Sequence, residues 1–429
     1  MVALENLSRA HAQKSLTILP GPSAAGTVSL APVPSLAPVP GRPTLSDVAA
    51  VAGVSAATVS RVLNSDYPVA AATRARVLEA VRSCNYVPNA HAQALVRSRS
   101  QIIGVVLADV SDPFFSEVVR GVQTAAKLAG HLVVICNTES VPEQELEYVS
   151  LLRTQRADAV LVVGAAPLDR HYGTEMARHA EGLAADGGAL VYCGRPRPAG
   201  TRGGKVVALD NVGAGTLAAR RLLAAGHREL LYLAGPEGRT TTIDRLQGVL
   251  AELERQRVPP GRLQVTHGPF DRTTGYREVA VRAGAGALPD AVLAANDLLA
   301  IGALAALRDR GIKVPRDVSV IGIDDIPAAS DLTPRLTTVR LPLMELGQLA
   351  TRVALGLAPA NARAGPASLI ERESVRPAGS AGARAPLTRP RRRTGAGHRA
   401  LPPDPRAVVR AKSAGHRALV SPLSPPERH

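Results

Sequence analysis

Four closely spaced side chains near the start of the chain could read the edges of DNA bases. Ala56, Ala57, Ser60 and Arg61 have a spacing that places them on one side of a helix. Arg61 is the one long side chain among them, and its guanidinium can form a bidentate hydrogen bond with guanine. The alanine methyl groups can only touch thymine or leave room for the DNA. Alternatively, Arg61 is a charged residue on a solvated helix face.

Short helices must position these side chains, and the first is predicted just upstream. Thr44, followed by Asp47 three residues later, predicts a capping box at the start of a helix that extends to about Ala52. Gly53 and the valine after it predict a tight turn. Ser55 is then placed to cap the helix that carries Arg61.

A second helix at residues 56–63 and a third at residues 72–84 complete the pattern. Apolar residues occur where the three helices could share one core, namely Val48, Ala52, Val54, Val59, Val62, Val69, Val77 and Val81. Two short helices joined by a turn with glycine are typical of a helix-turn-helix, whose second helix enters the major groove. The sequence predicts an all-α DNA-binding domain at residues 41–87, although any Ala/Val-rich three-helix segment shares this pattern.

Charge is concentrated at the two ends of the chain. The 51 basic and 36 acidic residues give 51 − 36 = +15, distributed as +1 in residues 1–40, +4 in 41–101, zero in 102–375 and +10 in 376–429. A neutral body between basic ends indicates a polyanionic partner for the ends, with nucleic acid as the leading candidate.

The two termini have the composition of disordered segments. Residues 1–40 are rich in Pro and Ala without a helical or alternating period, and residues 376–429 form a basic, Pro/Arg-rich tail that includes RPRRR at 389–393. Both are expected to lie outside the folded domains.

Cysteine usage and apolar runs favour a cytoplasmic protein. Cys84, Cys136 and Cys193 are odd in number and widely spaced, which fits neither a disulfide framework nor a zinc site. No stretch approaches the roughly 18 apolar residues that a membrane span requires. We therefore expect no membrane partner.

From residue 102 onward, short apolar runs alternate with segments of helical length. The runs predict buried parallel strands at 102–107, 132–135, 159–163, 190–192, 206–209, 230–233, 263–265, 291–294 and 318–323. Amphipathic stretches lie between them, such as 116–129, 214–225, 239–256 and 298–310, and several end at a glycine that could supply a left-handed cap, namely Gly130, Gly226 and Gly311.

The pattern also repeats within the body. The sequence AAKLAGH at 125–131 resembles RLLAAGH at 221–227, each placed before a predicted strand. Two similar α/β lobes are therefore expected in residues 102–375. Ligands of open α/β sheets bind beyond the carboxyl ends of the strands, so facing lobes would form a ligand cleft.

Three motifs resemble the LacI/GalR family of bacterial transcription regulators. They are TLSDVAAVAGVSAATVSRVLN at 44–64, TRARVL at 73–78 and NYVPN at 85–89, and the resemblance extends to about residue 375. It implies a helix-turn-helix domain followed by a periplasmic-binding-protein-like core of two Rossmann-like lobes. Thr44, Ser55, Thr58 and Asn64 then join the candidate DNA contacts.

The resemblance also implies function and partners. It implies a regulator, most often a repressor, that binds a pseudo-palindromic double-stranded operator and responds to a small effector such as a sugar, without a cofactor or metal. A homodimer is expected, because residues 376–429 have no counterpart of the leucine-heptad tail that makes some members tetramers.

A hinge helix is implied within residues 88–101. Leu95 would be an apolar wedge in the minor groove, with Asn89 and Gln93 near the DNA backbone. Such a wedge unstacks a base step, and the resulting bend exposes more DNA to the protein. The alternative is that Leu95 caps an ordinary linker helix.

The resemblance further implies an effector site in the cleft. The candidates share strand-end positions or match family motifs, and they are Phe114, Phe115, Arg195, Arg239, Thr241, Arg245, Phe270, Asn296, Asp297 and Asp324. Flat aromatic faces suit the ring of a sugar or a base. The alternatives are that the phenylalanines fill a core and that Asp297 and Asp324 cap helices. Gly194 stands where many relatives have an acid before the arginine.

Two other classes of function are less well supported. The sequence has no G-x-S-x-G elbow, H-E-x-x-H motif or P-loop, and its ten histidines lack metal-ligand spacing, so an enzyme is not expected. The lobes also resemble solute-binding proteins of transport systems, but such a protein has no use for residues 44–95.

Overall fold

The computed structural model describes residues 43–64, 68–87 and 100–378, which belong to two compact units. The predicted hinge residues Asn89, Gln93 and Leu95 lie outside the described residues, as do residues 1–42 and 379–429.

The first unit contains three helices, α1 (Leu45–Ala52), α2 (Ala56–Asn64) and α3 (Ala71–Ser83). The Thr44 hydroxyl accepts from the Asp47 amide at 3.4 Å and the Asp47 carboxylate accepts from the Thr44 amide at 2.7 Å, which forms the predicted capping box. Gly53 ends α1 with φ of 65°, a left-handed conformation that favours glycine. The predicted helix-turn-helix is confirmed.

Apolar side chains from all three helices form the core of this unit. Val48, Val59 and Val77 are fully buried at its centre. Partly buried residues, including Val54 and Val69, pack around them. The eight apolar residues chosen from the sequence all belong to this cluster.

The second unit contains two six-stranded sheets. The strands are β1 (Ile102–Leu107), β2 (Leu132–Asn137), β3 (Ala159–Val163), β4 (Ala189–Cys193), β5 (Lys205–Ala208), β6 (Leu230–Leu233), β7 (Leu263–Thr266), β8 (Ala291–Ala294), β9 (Ser319–Asp324), β10 (Thr337–Arg340), β11 (Asn361–Arg363) and β12 (Ser368–Ile370). The strand orders are β11-β5-β4-β3-β1-β2 and β12-β10-β9-β8-β6-β7, and only the β10–β12 pair is antiparallel among the described strands. The predicted parallel two-lobed architecture is confirmed.

Helices cover these sheets. They are α4 (Pro113–Leu128), α5 (Pro142–Thr154), α6 (Arg170–Ala185), α7 (Asn211–Ala224), α8 (Thr240–Arg255), α9 (Arg272–Gly284), α10 (Asp297–Asp309) and α11 (Leu343–Ala354). The predicted left-handed glycines follow three of them, with φ of 70° at Gly130, 86° at Gly226 and 68° at Gly311. No single described helix has both the length and the apolar composition to cross a membrane.

The chain passes between the lobes three times. The first sheet contains β1 to β5 and β11, and the second sheet contains β6 to β10 and β12. Helix α11 follows β10 but packs against α4 in the first lobe, and α7 packs against α8 in the second. Each lobe is therefore built from segments that are distant in sequence.

Reciprocal glycines bring helix pairs into backbone contact. A methyl group on Gly215 of α7 would lie 2.0 Å from the Arg245 carbonyl oxygen, and one on Gly248 of α8 would lie 2.0 Å from the Val212 carbonyl oxygen. The α4–α11 and α9–α10 pairs cross in the same way, at Gly121 with Gly347 and at Gly275 with Gly302. The close approach holds α8, and with it Arg245, against α7, which in turn packs on the second sheet.

Candidate functional site

Helix α2 presents one face to solvent and one to the core. Val59 and Val62 are buried, whereas Ala57 and Arg61 are exposed. Ala56, Thr58 and Ser60 are half-buried beside them, and Thr44 is exposed at the start of α1. Of the side chains predicted to meet DNA bases, Ala57 and Arg61 therefore lie on the exposed side of α2, whereas Ser60 is half-buried and Ala56 packs against the core.

Ser55 fixes the start of this helix. Its hydroxyl accepts a hydrogen bond from the Thr58 amide at 3.1 Å and lies 2.9 Å from the Thr58 hydroxyl. Asn64 ends α2, and its side chain is outside the described part of the chain.

A cleft of about 1090 Å³ lies between the two lobes. Its walls are the segments that follow the carboxyl ends of β1, β2 and β3 in the first lobe and of β6 to β9 in the second. This is where ligands of open parallel sheets bind. Of the predicted effector residues, eight line it: Phe114, Phe115, Arg239, Thr241, Arg245, Phe270, Asn296 and Asp324.

The three phenylalanines of the chain all line the cleft. The rings of Phe114 and Phe115 meet edge to face, with centroids 5.1 Å apart. Phe115 lies over Gly164, where an added methyl would come within 2.9 Å of the ring. Phe270 lies over Gly235 in the second lobe, where an added methyl would come within 2.0 Å of the ring. Each lobe thus supplies aromatic surface supported by a glycine at a strand end.

Arg245 is buried, 2% exposed, and held by three acceptors. It donates to the Asn211 side-chain oxygen at 3.1 Å, to the Ala295 carbonyl and to Asp324 Oδ1 at 3.0 Å. Asp324 ends β9 with φ of 122°, a conformation that non-glycine residues rarely adopt. Strained backbone of this kind is concentrated at functional sites.

Carboxylates dominate the charged groups of the cleft. Burial raises the pKa of Asp324 to about 7, Arg245 lowers it and Asp112 raises it further. Burial likewise raises the pKa of Asp112 to about 6, with the Phe114 amide opposing the rise and Asp109 adding to it. Asp112 lies in the first lobe and Asp324 in the second, so the two negative charges repel each other across the cleft.

Cross-lobe hydrogen bonds join the two sides at one edge of the cleft. The Leu168 amide donates to the Gly238 carbonyl at 3.0 Å, and the Thr240 amide donates to the Ala166 carbonyl at 3.1 Å. Arg239 also donates to the Ser140 carbonyl at 2.8 Å. A change in the arrangement of the two lobes would therefore break or move contacts at the edge of the cleft.

Asn296 has two protein partners. Its oxygen accepts from the Leu299 amide at 3.0 Å, which caps α10, and its nitrogen donates to the Phe270 carbonyl at 3.3 Å. It thus ties the Phe270 loop to α10 at the cleft wall. The sequence offered Asp297 as a helix cap, but the residue that caps α10 is Asn296.

The structure corrects the placement of Arg195. Its side chain is buried behind the cleft, donates to Glu145 Oε2 at 3.1 Å and also contacts the Tyr172 hydroxyl. Tyr172 donates to the same Glu145 oxygen at 2.6 Å. Arg195 is not among the lining residues, whereas Glu145 is.

The placement of Asp297 is corrected in the same way. It is fully buried and accepts from the Ile326 amide at 2.9 Å and the Thr338 hydroxyl at 2.6 Å. Burial raises its pKa well above the usual range, and Asp324 adds to the rise. Asp297 ties α10 to β9 and β10 and does not line the cleft.

Sequence reasoning missed several polar residues of the cleft wall, including Asp109, Asp112, Asn137, Glu139 and Glu145. Asp109 and Asp112 lie between β1 and α4, directly before the two phenylalanines, and Asn137 is the last residue of β2. Applying the strand-end rule to each strand would have found these three. Glu145 lies on α5, and nothing in its local sequence indicated its place.

Among the described residues, no group of three or more His, Cys, Asp or Glu side chains could hold a metal ion. The site offers aromatic faces, carboxylates and an anchored guanidinium between two lobes. With a helix-turn-helix unit in the same chain, it defines the class of DNA-binding proteins that carry a two-lobed small-molecule-binding unit.

Known proteins share both units. The family model described as bacterial regulatory proteins, lacI family, matches residues 44–89, and the periplasmic binding protein-like domain matches residues 219–375. The HTH-type transcriptional regulator GalS of Salmonella typhimurium is 38% identical over 312 residues, which cover 73% of this chain and 89% of GalS. The chain belongs to the LacI family of bacterial regulatory proteins, and it is a DNA-binding transcriptional regulator.

Solved structures agree over the same region. A Lac repressor dimer bound to operator and the anti-inducer ONPF has a TM-score of 0.68 at 29% identity, covering 78% of this chain and 99% of that one. A complex of the transcriptional regulator CelR with cellobiose has a TM-score of 0.56 at 32% identity, covering 78% of this chain and 100% of CelR.

Proposed function

We propose that the protein is a cytoplasmic, homodimeric repressor whose affinity for a pseudo-palindromic operator is set by a small effector in the interlobe cleft. The observation that carries this proposal is the cleft itself, because both lobes contribute its walls and are joined by hydrogen bonds at its edge. A ligand that prefers one lobe arrangement shifts the population of that arrangement. The shift changes the spacing of the two hinge segments in a dimer, and hence operator affinity.

Helix α2 is the proposed recognition element. Arg61 reads a guanine in the major groove, while Ala56, Ala57 and Ser60 lie close to the bases. Thr44, Ser55, Thr58 and Asn64 contact the DNA around it, and Asn89, Gln93 and Leu95 act at the hinge in the minor groove. Exposure of the Arg61 side of α2 supports this assignment.

The proposed effector is a sugar or a related metabolite, bound without a cofactor. Phe114, Phe115 and Phe270 supply flat apolar faces, and Arg239, Thr241, Arg245, Asn296 and Asp324 supply polar contacts. The CelR complex with cellobiose provides a precedent within the family.

A second copy of the chain is the proposed dimer partner. Strand β2 lies at the edge of the first sheet, Leu132 on it is 64% exposed, and Leu128 at the end of α4, four residues earlier in the chain, is 87% exposed. Exposed apolar side chains on an edge strand favour pairing with another chain. A solute-binding protein of a transport system is not favoured, because it would leave α2 without a role.

Selection from random duplexes tests the DNA-binding half of this proposal. The full chain should enrich an inverted repeat, and sedimentation should show two chains for each selected duplex. Enrichment of an isolated half-site bound by one chain would contradict the proposed dimer.

A further inference from the structure

The lining of the cleft is strongly biased towards negative charge. Six carboxylates line it, namely Asp109, Asp112, Glu139, Glu145, Asp271 and Asp324, against two cations, Arg239 and Arg245. With ordinary ionisation the lining sums to 2 − 6 = −4, and Arg195, which pairs with Glu145 from behind the wall, reduces this to −4 + 1 = −3. A cleft lined by one sign of charge attracts the opposite sign and repels the same sign.

Both cations are already engaged by protein acceptors. Arg245 donates to Asn211, Ala295 and Asp324, and Arg239 donates to the Ser140 carbonyl. Arg245 uses all three guanidinium nitrogens, so it is not an open fork for a phosphate or carboxylate, and an anionic ligand would have to displace its contacts. Arg239 donates through Nη2 to the Ser140 carbonyl, which leaves one partly engaged cation against the six carboxylates.

The carboxylates, by contrast, retain acceptor atoms. Glu145, 6% exposed, accepts from Tyr172 and Arg195 through Oε2, and its Oε1 accepts no hydrogen bond from any residue that the structure describes. Asp324, 4% exposed, uses Oδ1 for Arg245, and within the described ranges its Oδ2 has no donor. Neither oxygen is among the buried side-chain atoms that lack a partner in the described part of the chain, so both are accessible from the cleft and can accept a hydrogen bond from a ligand in place of water.

Asp112 adds a third acceptor from the first lobe. Its Oδ1 accepts from the Phe114 amide at 2.9 Å, and no donor to its Oδ2 occurs among residues 43–64, 68–87 and 100–378.

We propose that the cleft selects its effector by charge and hydrogen-bond polarity, admitting an uncharged or cationic donor-rich molecule, such as a polyol or amino sugar, and repelling phosphorylated or carboxylated ones. This inference rests on the proposed effector role of the cleft. Glu145, held by Tyr172 and Arg195, is the specificity-determining residue that reads a ligand hydroxyl or ammonium group.

The absence of tryptophan from the sequence allows a direct test without a known ligand. A Phe270→Trp variant of the full chain places a single fluorophore in the cleft wall. Its quenching by caesium and by iodide, at equal ionic strength and mildly alkaline pH, reports the local concentration of each ion. Each value is normalised to free N-acetyltryptophanamide, and acrylamide corrects for steric access.

We expect the caesium-to-iodide ratio to exceed one, by about twofold or more. Asp112→Asn in the same background should move the ratio towards one, since asparagine keeps the helix cap but removes the charge. Glu147→Gln is the matched control, because Glu147 lies exposed on α5 and does not line the cleft. Leu298→Trp, also in the lining, replaces Phe270→Trp if that variant does not fold.

A ratio at or below one would overturn the proposal, as would an Asp112→Asn effect no larger than that of Glu147→Gln. The proposed function fails differently. A caesium-to-iodide ratio above one in a protein for which no operator can be selected would contradict the proposed effector-controlled operator binding. The proposed charge selection by the cleft would still stand.

Discussion

Replacing Arg245 with methionine should destabilise the second lobe. Methionine has a similar length but no donors, so the change leaves the Asn211 oxygen, the Ala295 carbonyl and Asp324 without the partner that Arg245 supplies. The Arg245 and Asp324 side chains are only 2% and 3% exposed, so water cannot readily replace the lost donor. Removing one partner of a buried ion pair costs about 3–5 kcal/mol.

The double variant separates charge from packing. Asp324→Asn added to Arg245→Met removes the carboxyl that has lost its partner, and we expect it to recover part of the loss at a pH above about 7, where that carboxyl must either stay charged or bind a proton. Arg178→Met is the control, because Arg178 pairs with Glu175 at 71% exposure. Exposed pairs contribute less than about 1 kcal/mol.

Urea unfolding of the full chain gives these free energies, and hydrogen exchange in β8 and β9 locates the change in the second lobe. If Arg245→Met costs no more than Arg178→Met, the buried pair does not support the cleft. If the double variant is less stable than the single variant, the uncompensated charge is not the cause.

Further predictions concern DNA binding, packing and pH. Arg61→Ala should cost roughly 1–3 kcal/mol on a selected operator and less on random duplex, and equal losses in fluorescence anisotropy at one salt concentration would make Arg61 a phosphate contact only. Deleting residues 379–429, which carry 11 − 2 = +9, should flatten the slope of log affinity against log salt, and an unchanged slope would exclude the tail from DNA. Gly248→Ala should lower stability by about 1–3 kcal/mol in urea unfolding, whereas Gly284→Ala, with no atom within 4 Å of the new methyl, should raise it by about 0.4–1 kcal/mol. The carboxyls of Asp112 and Asp324 have higher pKa values in the folded than in the unfolded chain, so the folded state binds their protons more tightly and the melting temperature should fall as pH rises from about 4 to about 7. Asp112→Asn should flatten this dependence of melting temperature on pH. A steeper dependence in Asp112→Asn would contradict the assignment.

Local patterns were sufficient for much of the fold. The Thr44 capping box and the left-handed Gly53 depend on neighbouring residues, so the first unit could be predicted closely. The central strands are continuous apolar runs, and β1, β3, β6 and β8 begin and end where their runs do. These features need no knowledge of distant contacts.

Strands that depend on distant partners could not be predicted. Strand β10 has the sequence TTVR, and the Thr338 hydroxyl is buried because it donates to Asp297, which is 41 residues away. Strands β11 and β12 have three residues each and exist only because the chain returns to both sheets. Hydrophobic periodicity carries no signal for either case.

The candidate site shows the same division. Phe115 and Phe270 could be placed because strand-end loops predict cleft positions. Arg195 could not, because its burial depends on Glu145 and Tyr172, which lie 50 and 23 residues away. The second lobe also includes Arg376, one residue past the predicted boundary, since Arg376 contacts His227 at 2.9 Å.

The coupling between lobe arrangement and DNA binding can be measured in one molecule. Pro167 and Arg239 face each other as a bridged pair across the lobes, so Pro167→Cys with Arg239→Cys places two thiols where a disulfide can close. We expect operator affinity to differ between the oxidised and reduced forms by about 1–3 kcal/mol, a typical coupling free energy, while neither substitution alone produces such a difference. Equal operator affinity with the lobes locked and unlocked would contradict the proposal that the cleft controls DNA binding.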